Sequence, residues 1–326
     1  MKIAFFLFFV AFIETNNIFN IRILTMNRPK SLERLLKSLL KLKIENYVIN
    51  LEFFVDALPF TNINDNNTLE IIENFNWSYG KKELFCNSIN MGLKNQWLRP
   101  YHRKQPLLIL EDDLILCEHF MNIAEKSINF LAKKKKDNIF GISFQKLRLI
   151  LIADNCKNFE PGKCLRNNVK KNRSFFLQQM ATWAPLVYSE KWNELIDYYE
   201  NSKKRENFEI HCVPGSIANL WYNTSGTYMQ YFFHLKKYYM MYFNTEDHFA
   251  INFLEQGVHF KKQLIKNNSK CVNSSLMELF KFEKSNFFDN GFNRIDSNLK
   301  NSLDVGILNK LSKFDKCKLK SKNGNK

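Results

Sequence analysis

Glycine is scarce in this chain, at 10 of 326 residues, and no Gly-x-x-x-x-Gly-Lys-Ser/Thr pattern occurs. A phosphate-cradling glycine loop of that kind is therefore excluded, and a metal-dependent nucleotidyl- or phosphotransferase ranks last among the functional readings. There are seven cysteines but no Cys-x-x-Cys pair, so the chain carries little signal for a zinc site or a thioredoxin-like redox motif. No internal repeat is found. Acidic residues are in deficit, 32 against 48 Lys and Arg, for a formal charge of +16. Such a balance favours anionic partners: nucleic acid, phosphates, nucleotide-bearing ligands or acidic membranes. The lysines are dispersed and no nucleic-acid-binding module accompanies them, so nucleic acid is not expected as a partner.

What is present is ample core material. Hydrophobic residues make up 45% and aromatics 15% of the chain, which rules out wholesale disorder. An unbroken apolar run, Ile3 to Ile13, follows Met1-Lys2. A membrane span needs about 20 apolar residues, whereas a signal-peptide core needs about 7–15. The run is read as a secretory leader over residues 1–19, with a short signal-anchor that tethers the chain to a membrane as the alternative. Entry into the secretory pathway is the expectation, ending in the endoplasmic reticulum or Golgi lumen, or outside the cell if the leader is cleaved. Six Asn-x-Ser/Thr sequons, from Asn66 to Asn273, add weak support in so Asn-rich a chain. Cys156 and Cys164 flank the turn-rich Asn-Phe-Glu-Pro-Gly stretch. They either close a short disulfide loop or stay as free thiols.

Short apolar strands alternate with amphipathic helices through the first half. Asn20–Thr25 reads as a strand and Ser31–Leu40 as a helix with Leu32, Leu35, Leu36, Leu39 and Leu40 on one face. Tyr47–Val55 is a second strand, Leu69–Phe75 a helix, and Asn87–Trp97 a helix. Pro106–Leu110 is a strand, Cys117–Lys134 a helix and Asn138–Ser143 a strand. Such alternation predicts an α/β fold, a mostly parallel sheet with helices on both faces. Ligands in such sheets bind beyond the carboxyl ends of the strands, where Arg28, Asp56 and Glu111-Asp112-Asp113 all fall. Further on, Gln179–Pro185 reads as a strand and Glu190–Tyr199 as a helix. The aromatic stretch from Trp221 to Tyr242 reads as core rather than as a sugar platform. Domain limits are drawn at 20–265, with a Lys/Asn-rich extension over 266–326.

Glu111-Asp112-Asp113 is the cluster that carries chemistry. Carboxylates that close repel one another, and a divalent cation relieves the repulsion. Oxygen-only ligands suit magnesium or manganese, which bind through one or two carboxylates together with phosphate oxygens. A helix N-terminus made negative by the same three residues is the plain alternative.

Leu107-Leu-Ile-Leu-Glu-Asp-Asp-Leu, followed by Cys117-Glu-His-Phe, resembles the acidic motif of GT-A (Rossmann-like) glycosyltransferases. Its form is closest to that of N-acetylglucosaminyltransferase I-like enzymes. Trp77-Ser-Tyr-Gly-Lys-Lys, Asn90-Met-Gly-Leu-Lys-Asn-Gln-Trp-Leu, Thr182-Trp-Ala-Pro-Leu-Val-Tyr and Gly257-Val-His-Phe are similar to a group of nucleotide-diphospho-sugar transferases. The resemblance implies a nucleotide-sugar donor, a UDP-sugar by preference, with manganese or magnesium. Transfer of a hexosyl or N-acetylhexosaminyl group to a glycan or protein hydroxyl, with inversion, follows from it. It implies that Asp113 binds the metal and that Glu111 and Asp112 lie near the donor ribose and diphosphate. Arg28 and Asp56 match positions that hold the nucleotide base, and Lys81 and Lys82 are candidates for the diphosphate. Thr245-Glu246-Asp247-His248 resembles the Glu-Asp pair of inverting family-2 transferases, which offers Asp247, or else Glu246, as general base. The bland reading of the same residues is a helix start capped by Thr245. His259 is either a distal metal ligand or a structural histidine. A non-catalytic binding or scaffold protein of the secretory pathway with the same fold is the competing function.

Overall fold

The structure is a computed structural model. It describes residues 18–45, 47–133, 137–147, 165, 167–203, 213, 216, 224–252, 270–283, 286–289 and 294–295. The leader, His259, the Gly257 motif and Cys156 and Cys164 lie outside the described residues.

Chain order is β1 (Ile18–Thr25), α1 (Pro29–Leu39), β2 (Val48–Val55), α2 (Asn66–Asn74), β3 (Lys82–Cys86), α3 (Gly92–Trp97), β4 (Leu107–Glu111), β5 (Leu114–Leu116) and α4 (Phe120–Ala132). It continues with β6 (Ile139–Ser143), β7 (Arg173–Leu177), β8 (Pro185–Val187), α5 (Ser189–Lys203), α6 (Ser225–Lys236) and β9 (Tyr239–Asn244). The last elements are β10 (Ala250–Asn252), α7 (Ser274–Leu279), β11 (Phe287–Phe288) and β12 (Arg294–Ile295). A ten-stranded sheet runs in the order β12-β11-β7-β9-β6-β8-β4-β1-β2-β3, and β10 pairs with β5 in a small second sheet.

β1 is parallel to β2 and β4, β2 to β3, and β6 to β9. β8 is antiparallel to both β4 and β6, so those two share one direction. Six strands, β1, β2, β3, β4, β6 and β9, thus deliver their carboxyl ends to one edge. Alternation along β1 and β4 feeds two cores. Ile21, Ile23, Leu108 and Leu110 pack with α1 and α4 on one face, while Leu24, Leu107 and Ile109 pack with α3, α5 and α6 on the other. This is the α/β arrangement expected, a mostly parallel sheet covered on both sides.

The second face of β1–β3 carries a polar row within the apolar one. Arg22 lies opposite Glu52 across β1 and β2, and Glu52 opposite Glu83 across β2 and β3. The Arg22 guanidinium pairs with Glu52 at 3.2 Å and sits over the Phe54 ring at 4.6 Å. Arg103 closes the row by pairing with Glu52 at 3.1 Å and with Glu83. Two arginines therefore neutralise two carboxylates, which is what makes the burial of Arg22 and Glu52 tolerable.

Several expectations are corrected. Helix α3 begins only at Gly92, because Asn87–Met91 is a loop bound to Asp56. Residues 114–116 form β5 before helix α4 starts at Phe120. The strand expected over Gln179–Pro185 is absent up to Ala184: β7 ends before it at Leu177 and β8 starts only at Pro185. Gln230 replaces the missing ladder, accepting from the Met180 N–H at 3.2 Å and donating to its carbonyl at 2.8 Å. The described residues 270–283, 286–289 and 294–295, assigned by composition to the extension, pack with the fold. Cys271 is disulfide-bonded to Cys117, β11 pairs with β7, and Met277 is buried in the first core. The described part of the aromatic stretch is core, with Tyr228, Phe232, Phe233 and Tyr242 all buried.

β6 and β8 touch where Gly141 meets Leu186. A Cβ on Gly141 would lie 2.2 Å from the Leu186 carbonyl oxygen, a backbone atom that cannot step aside. Gly141→Ala is expected to cost about 1–3 kcal/mol of unfolding free energy by overpacking. Urea denaturation of the variant measures it, and an unchanged midpoint would show that the strands separate freely.

Candidate functional site

β1 ends at Thr25, and Arg28 occupies the N-cap of α1 with Pro29 at its first turn. Arg28 makes no side-chain cap bond, so its guanidinium is available to the neighbouring strand end. β4 lies beside β1, and the Asp112 N–H continues their ladder by donating to the Leu24 carbonyl at 3.2 Å. These adjacencies bring Arg28, Glu111, Asp112 and Asp113 together.

Asp112 is 1% exposed. It accepts from the Thr25 hydroxyl at 2.7 Å and forms a close ion pair with Arg28. The same guanidinium reaches Asp113 at 3.5 Å. Glu111 accepts from the Trp97 indole N–H at 2.9 Å. Burial pushes the Glu111 carboxyl up to about 8, with repulsion from Asp113 and Asp112 adding to it and the Trp97 bond opposing it. Burial likewise raises Asp112 to about 6, against the pull of Arg28 and Thr25. Burial alone would lower Arg28, but Asp112, Asp113 and Glu111 outweigh it and hold its proton more tightly than usual. One arginine thus faces three carboxylates, and the ionised cluster keeps a surplus of negative charge.

That surplus suits a cation. Among the described residues no group of three or more His, Cys, Asp or Glu side chains forms a metal cage. Asp112 is committed to Thr25 and Arg28, and Glu111 to Trp97. Asp113, its side chain 12% exposed, is the carboxylate at the rim. The donor set fits a hard cation held by one or two carboxylates and completed by ligand oxygens, and does not fit a closed all-protein site.

Asp56 has a different place from the one expected. It is 4% exposed and both oxygens are occupied. Oδ1 accepts from the Ala57 N–H at 3.1 Å, the Asn87 amide at 2.8 Å and the Met91 N–H at 2.9 Å. Oδ2 accepts from the Asn90 amide at 3.3 Å and the Gly92 N–H at 2.8 Å. Gly92 has φ +73°, a left-handed conformation that glycine adopts without penalty and that turns its N–H to Asp56. A saturated carboxylate has no acceptor left for a ring N–H, so Asp56 fastens the 87–92 loop and the start of α3. Helix α3 in turn presents Trp97 to Glu111. Helix α5 braces that segment: Trp192 donates to the Arg99 carbonyl at 2.9 Å and Tyr199 to Asn95 at 3.1 Å.

The lysines are not at this edge. Lys82 opens β3 opposite Leu51, at the amino end of the sheet, and Lys81 precedes it. Five strand residues at about 3.3 Å each put Lys81 roughly 17 Å from the carboxyl end. Lys82 donates to the Ile72, Glu73 and Phe75 carbonyls and closes the C-terminus of α2. Neither residue is brought to the acidic cluster.

Glu246 and Asp247 follow β9 and lie on the carboxyl edge. β9 is three strand spacings from β4, about 14 Å. No helix starts there: the Thr245 hydroxyl donates to the Asp247 carbonyl at 2.7 Å in a turn leading to β10. Glu246 points outward with a side chain 73% exposed and pairs with Lys171 at 2.7 Å. Asp247 is partly buried. β10 returns the chain toward the cluster, since Asn252 is paired with Leu114, next to Asp113. The pairing is stapled by the Cys117 N–H bond to Phe249 at 2.9 Å and by the Cys117–Cys271 disulfide. Trp97 and Thr25, which hold Glu111 and Asp112, were missed in the sequence. The signal available was Trp97 itself, an indole donor inside an otherwise amphipathic segment.

No family model and no curated protein sequence matches the chain. Solved structures do show likeness. S. aureus TarS 1-349 in complex with UDP-GlcNAc is similar at TM-score 0.42 and 10% identity, over 74% of this chain and 60% of that one. TarS 1-349 without that ligand is similar at TM-score 0.38 and 11% identity, over 71% and 59%. A mannosyltransferase from Pyrobaculum calidifontis, PcManGT with GDP-Man and Mn2+, is similar at TM-score 0.32 and 11% identity, over 46% of each chain. The chain thus spans 60% or less of the length of these structures.

Two outcomes are expected. Asp56→Asn puts a donor where the Gly92 N–H and the Asn90 side-chain amide need an acceptor. It should cost about 2–4 kcal/mol and speed amide exchange at Met91 and Gly92; protected amides in the variant would refute the anchoring role. In metal-free protein, unfolded Glu111 loses its proton near 4.5 and folded Glu111 only near 8. Between these values the unfolded state binds fewer protons, so stability falls as pH rises. Thermal melts in chelator across that window should show the slope, and Glu111→Gln should flatten it.

Proposed function

We propose that this chain is a metal-dependent glycosyltransferase of GT-A type, moving a sugar from a nucleotide-sugar donor, a UDP-sugar by preference, to a glycan or protein hydroxyl. One observation carries the reading: a single arginine and three carboxylates meet at the carboxyl edge of a mostly parallel sheet, with surplus negative charge and one rim carboxylate. That is where α/β sheets bind ligands, and a cation-bridged diphosphate is the chemistry such a cluster accommodates. Motif order along the sequence agrees with it.

In this reading Asp113 holds manganese or magnesium, which when bound neutralises charge developing on the diphosphate leaving group. Arg28 keeps Asp112 and Asp113 in position, and Glu111, fixed by Trp97, faces the donor ribose. The acceptor oxygen attacks the anomeric carbon, the bond to the diphosphate oxygen breaks, and the hydroxyl proton passes to a carboxylate. Asp247 is preferred as that base, because Glu246 is engaged with Lys171 and turned outward. Inversion follows from a single displacement. Location in the secretory pathway is supported by the Ile3–Ile13 run together with the Cys117–Cys271 disulfide, a bond suited to oxidising compartments.

Thermal melts of the purified protein with nucleotides, with and without manganese, test the site. UDP with manganese should stabilise by about 2.7 kcal/mol at a hundredfold excess over its dissociation constant, and Asp113→Ala should abolish the effect. An identical shift in that variant would remove Asp113 as the metal ligand. No shift with any nucleotide would favour the non-catalytic binding protein. Asp247→Asn should lower sugar transfer while leaving UDP binding intact; normal turnover would exclude it as base.

A further inference from the structure

The aromatic stretch weighed as a sugar platform is core, so an aromatic surface for a sugar has to come from elsewhere. Among the described tryptophans, Trp77, Trp97 and Trp192 are buried, while Trp183 is only partly so. Part of Trp183 packs against the first core and the rest is open to solvent. It belongs to the Thr182-Trp-Ala-Pro-Leu-Val-Tyr motif, which the acidic cluster leaves unexplained.

Strand register places it. In the antiparallel pairing of β4 with β8, Leu108 lies opposite Leu186. Carried on by three residues, the same count sets Trp183 at the level of Glu111. In the pairing of β6 with β8, Ile142 lies opposite Leu186, and the count there sets Trp183 at the level of Gln145. The ladder still holds one residue short of that row, where the Phe144 N–H donates to the Ala184 carbonyl at 3.5 Å. β8 is one strand spacing from β4 and two from β9, about 5 and 10 Å. Trp183 thus stands at the carboxyl edge between the acidic cluster and the turn after β9 that carries Asp247.

The neighbours narrow the choice further. Phe144 and Ala184 are spent in the first core. Ala184 also has φ +48° while fully buried. A left-handed alanine is strained, and strain of this kind is retained where the chain must present a particular neighbour. Gln145 is 3% exposed, and its Nε2 has no hydrogen-bond partner among the described residues. A buried amide donor is costly until something supplies its acceptor. Lys146, next in sequence, is turned to the Glu246 carbonyl at 3.4 Å. Trp183 and Gln145 are therefore the side chains left to meet a ligand between the ends of β4 and β9.

We propose that Trp183 and Gln145 form the acceptor subsite, and that the acceptor is a pyranose ring of a glycan rather than a protein side chain. The apolar C–H face of the ring lies on the indole, and one of its hydroxyls accepts from the Gln145 amide. A ring with apolar faces and a hydroxyl edge matches an aromatic surface beside a single polar donor. The attacking hydroxyl has to lie between the anomeric carbon, held on the metal side over β4, and the base beyond β9; β8 and β6 are the strands between. The inference rests on the transferase reading and adds the acceptor class to it.

The test probes an array of immobilised oligosaccharides with the full chain in UDP and manganese, with melts in UDP and manganese run alongside. The wild type should bind a subset of the glycans. Trp183→Phe should keep that binding, and Trp183→Ala should weaken it about tenfold, the scale of one lost stacking contact. Gln145→Met, of similar volume, should weaken it comparably yet melt no lower than the wild type, because it removes an unpartnered amide. A glutamine with a merely structural role would lower the melt and leave the glycans bound, which would overturn its part. The UDP–manganese shift should be the same in all three variants. Equal glycan binding by the wild type and Trp183→Ala, or no glycan bound by the wild type while the UDP shift is intact, would overturn the proposal and favour a protein hydroxyl as acceptor. Weaker binding of UDP-glucose or UDP-N-acetylglucosamine, but not of UDP, in Trp183→Ala would also overturn it by giving the indole to the donor sugar. An absent UDP shift would sink the transferase reading instead; glycan binding that still depended on Trp183 would then support the sugar subsite alone.

Discussion

The arrangement of the site depends on one buried carboxylate. Asp112 is shut away from water and is tolerable there only because the Thr25 hydroxyl and the Arg28 guanidinium meet it. Both partners come from the far end of β1 and the start of α1, 84 to 87 residues earlier in the chain. The pair therefore fixes two strand ends and a helix start against one another. Asp113 and Glu111 inherit their positions from that lock, one at the rim of the sheet edge and the other bonded to Trp97 of α3. Removing either partner would leave a desolvated carboxylate short of a donor beside two more carboxyl groups.

A second polar hub works in parallel. Asp56 does for the 87–92 loop what Asp112 does for the strand ends: it gathers donors that the irregular backbone cannot satisfy for itself. Through α3 it connects to Trp97 and thus to Glu111. The two hubs are two strands apart, about 10 Å, and together they order the carboxyl edge over β1, β2 and β4. The other side is built from β5, β10 and the segment around Cys271, joined by backbone bonds and a disulfide.

Much of this was legible in the sequence, for a physical reason. Apolar strands buried on both faces leave continuous hydrophobic runs, and helices packed on one side leave a repeating face. β1, β2, β4, β6, α1 and α5 were visible on that ground, as was the acidic triplet at a strand end. What was hidden lacked a local signature. β3 lies at the sheet edge, so Lys-Glu-Leu-Phe-Cys carries charges where a central strand would be apolar. β5 and β10 are too short for any periodicity. Asp56 looked like a ligand because its five donors lie up to 36 residues away. Gln179–Pro185 has strand composition, but Gln230 takes over its hydrogen bonds from another helix. The Cys117–Cys271 pairing spans 154 positions and no spacing announces it. Lys82 looked like an anion binder but meets three helix-end carbonyls.

The charged row of Arg22, Glu52, Glu83 and Arg103, buried at Arg22 and Glu52, has a meaning beyond its own energy. Apolar strands can slide past one another in steps of two residues and still bury the same face, since leucine against valine differs little from leucine against isoleucine. A cation in the middle of β1 removes that freedom. Moved by one step, Arg22 would face Asn50 or Phe54 in place of Glu52. Three residues further along the same strand stands Thr25, whose hydroxyl has to meet Asp112. The charged row thus acts as an alignment pin for β1, set well behind the acidic cluster, and the positions of the carboxylates are decided in the interior of the sheet before any ligand arrives.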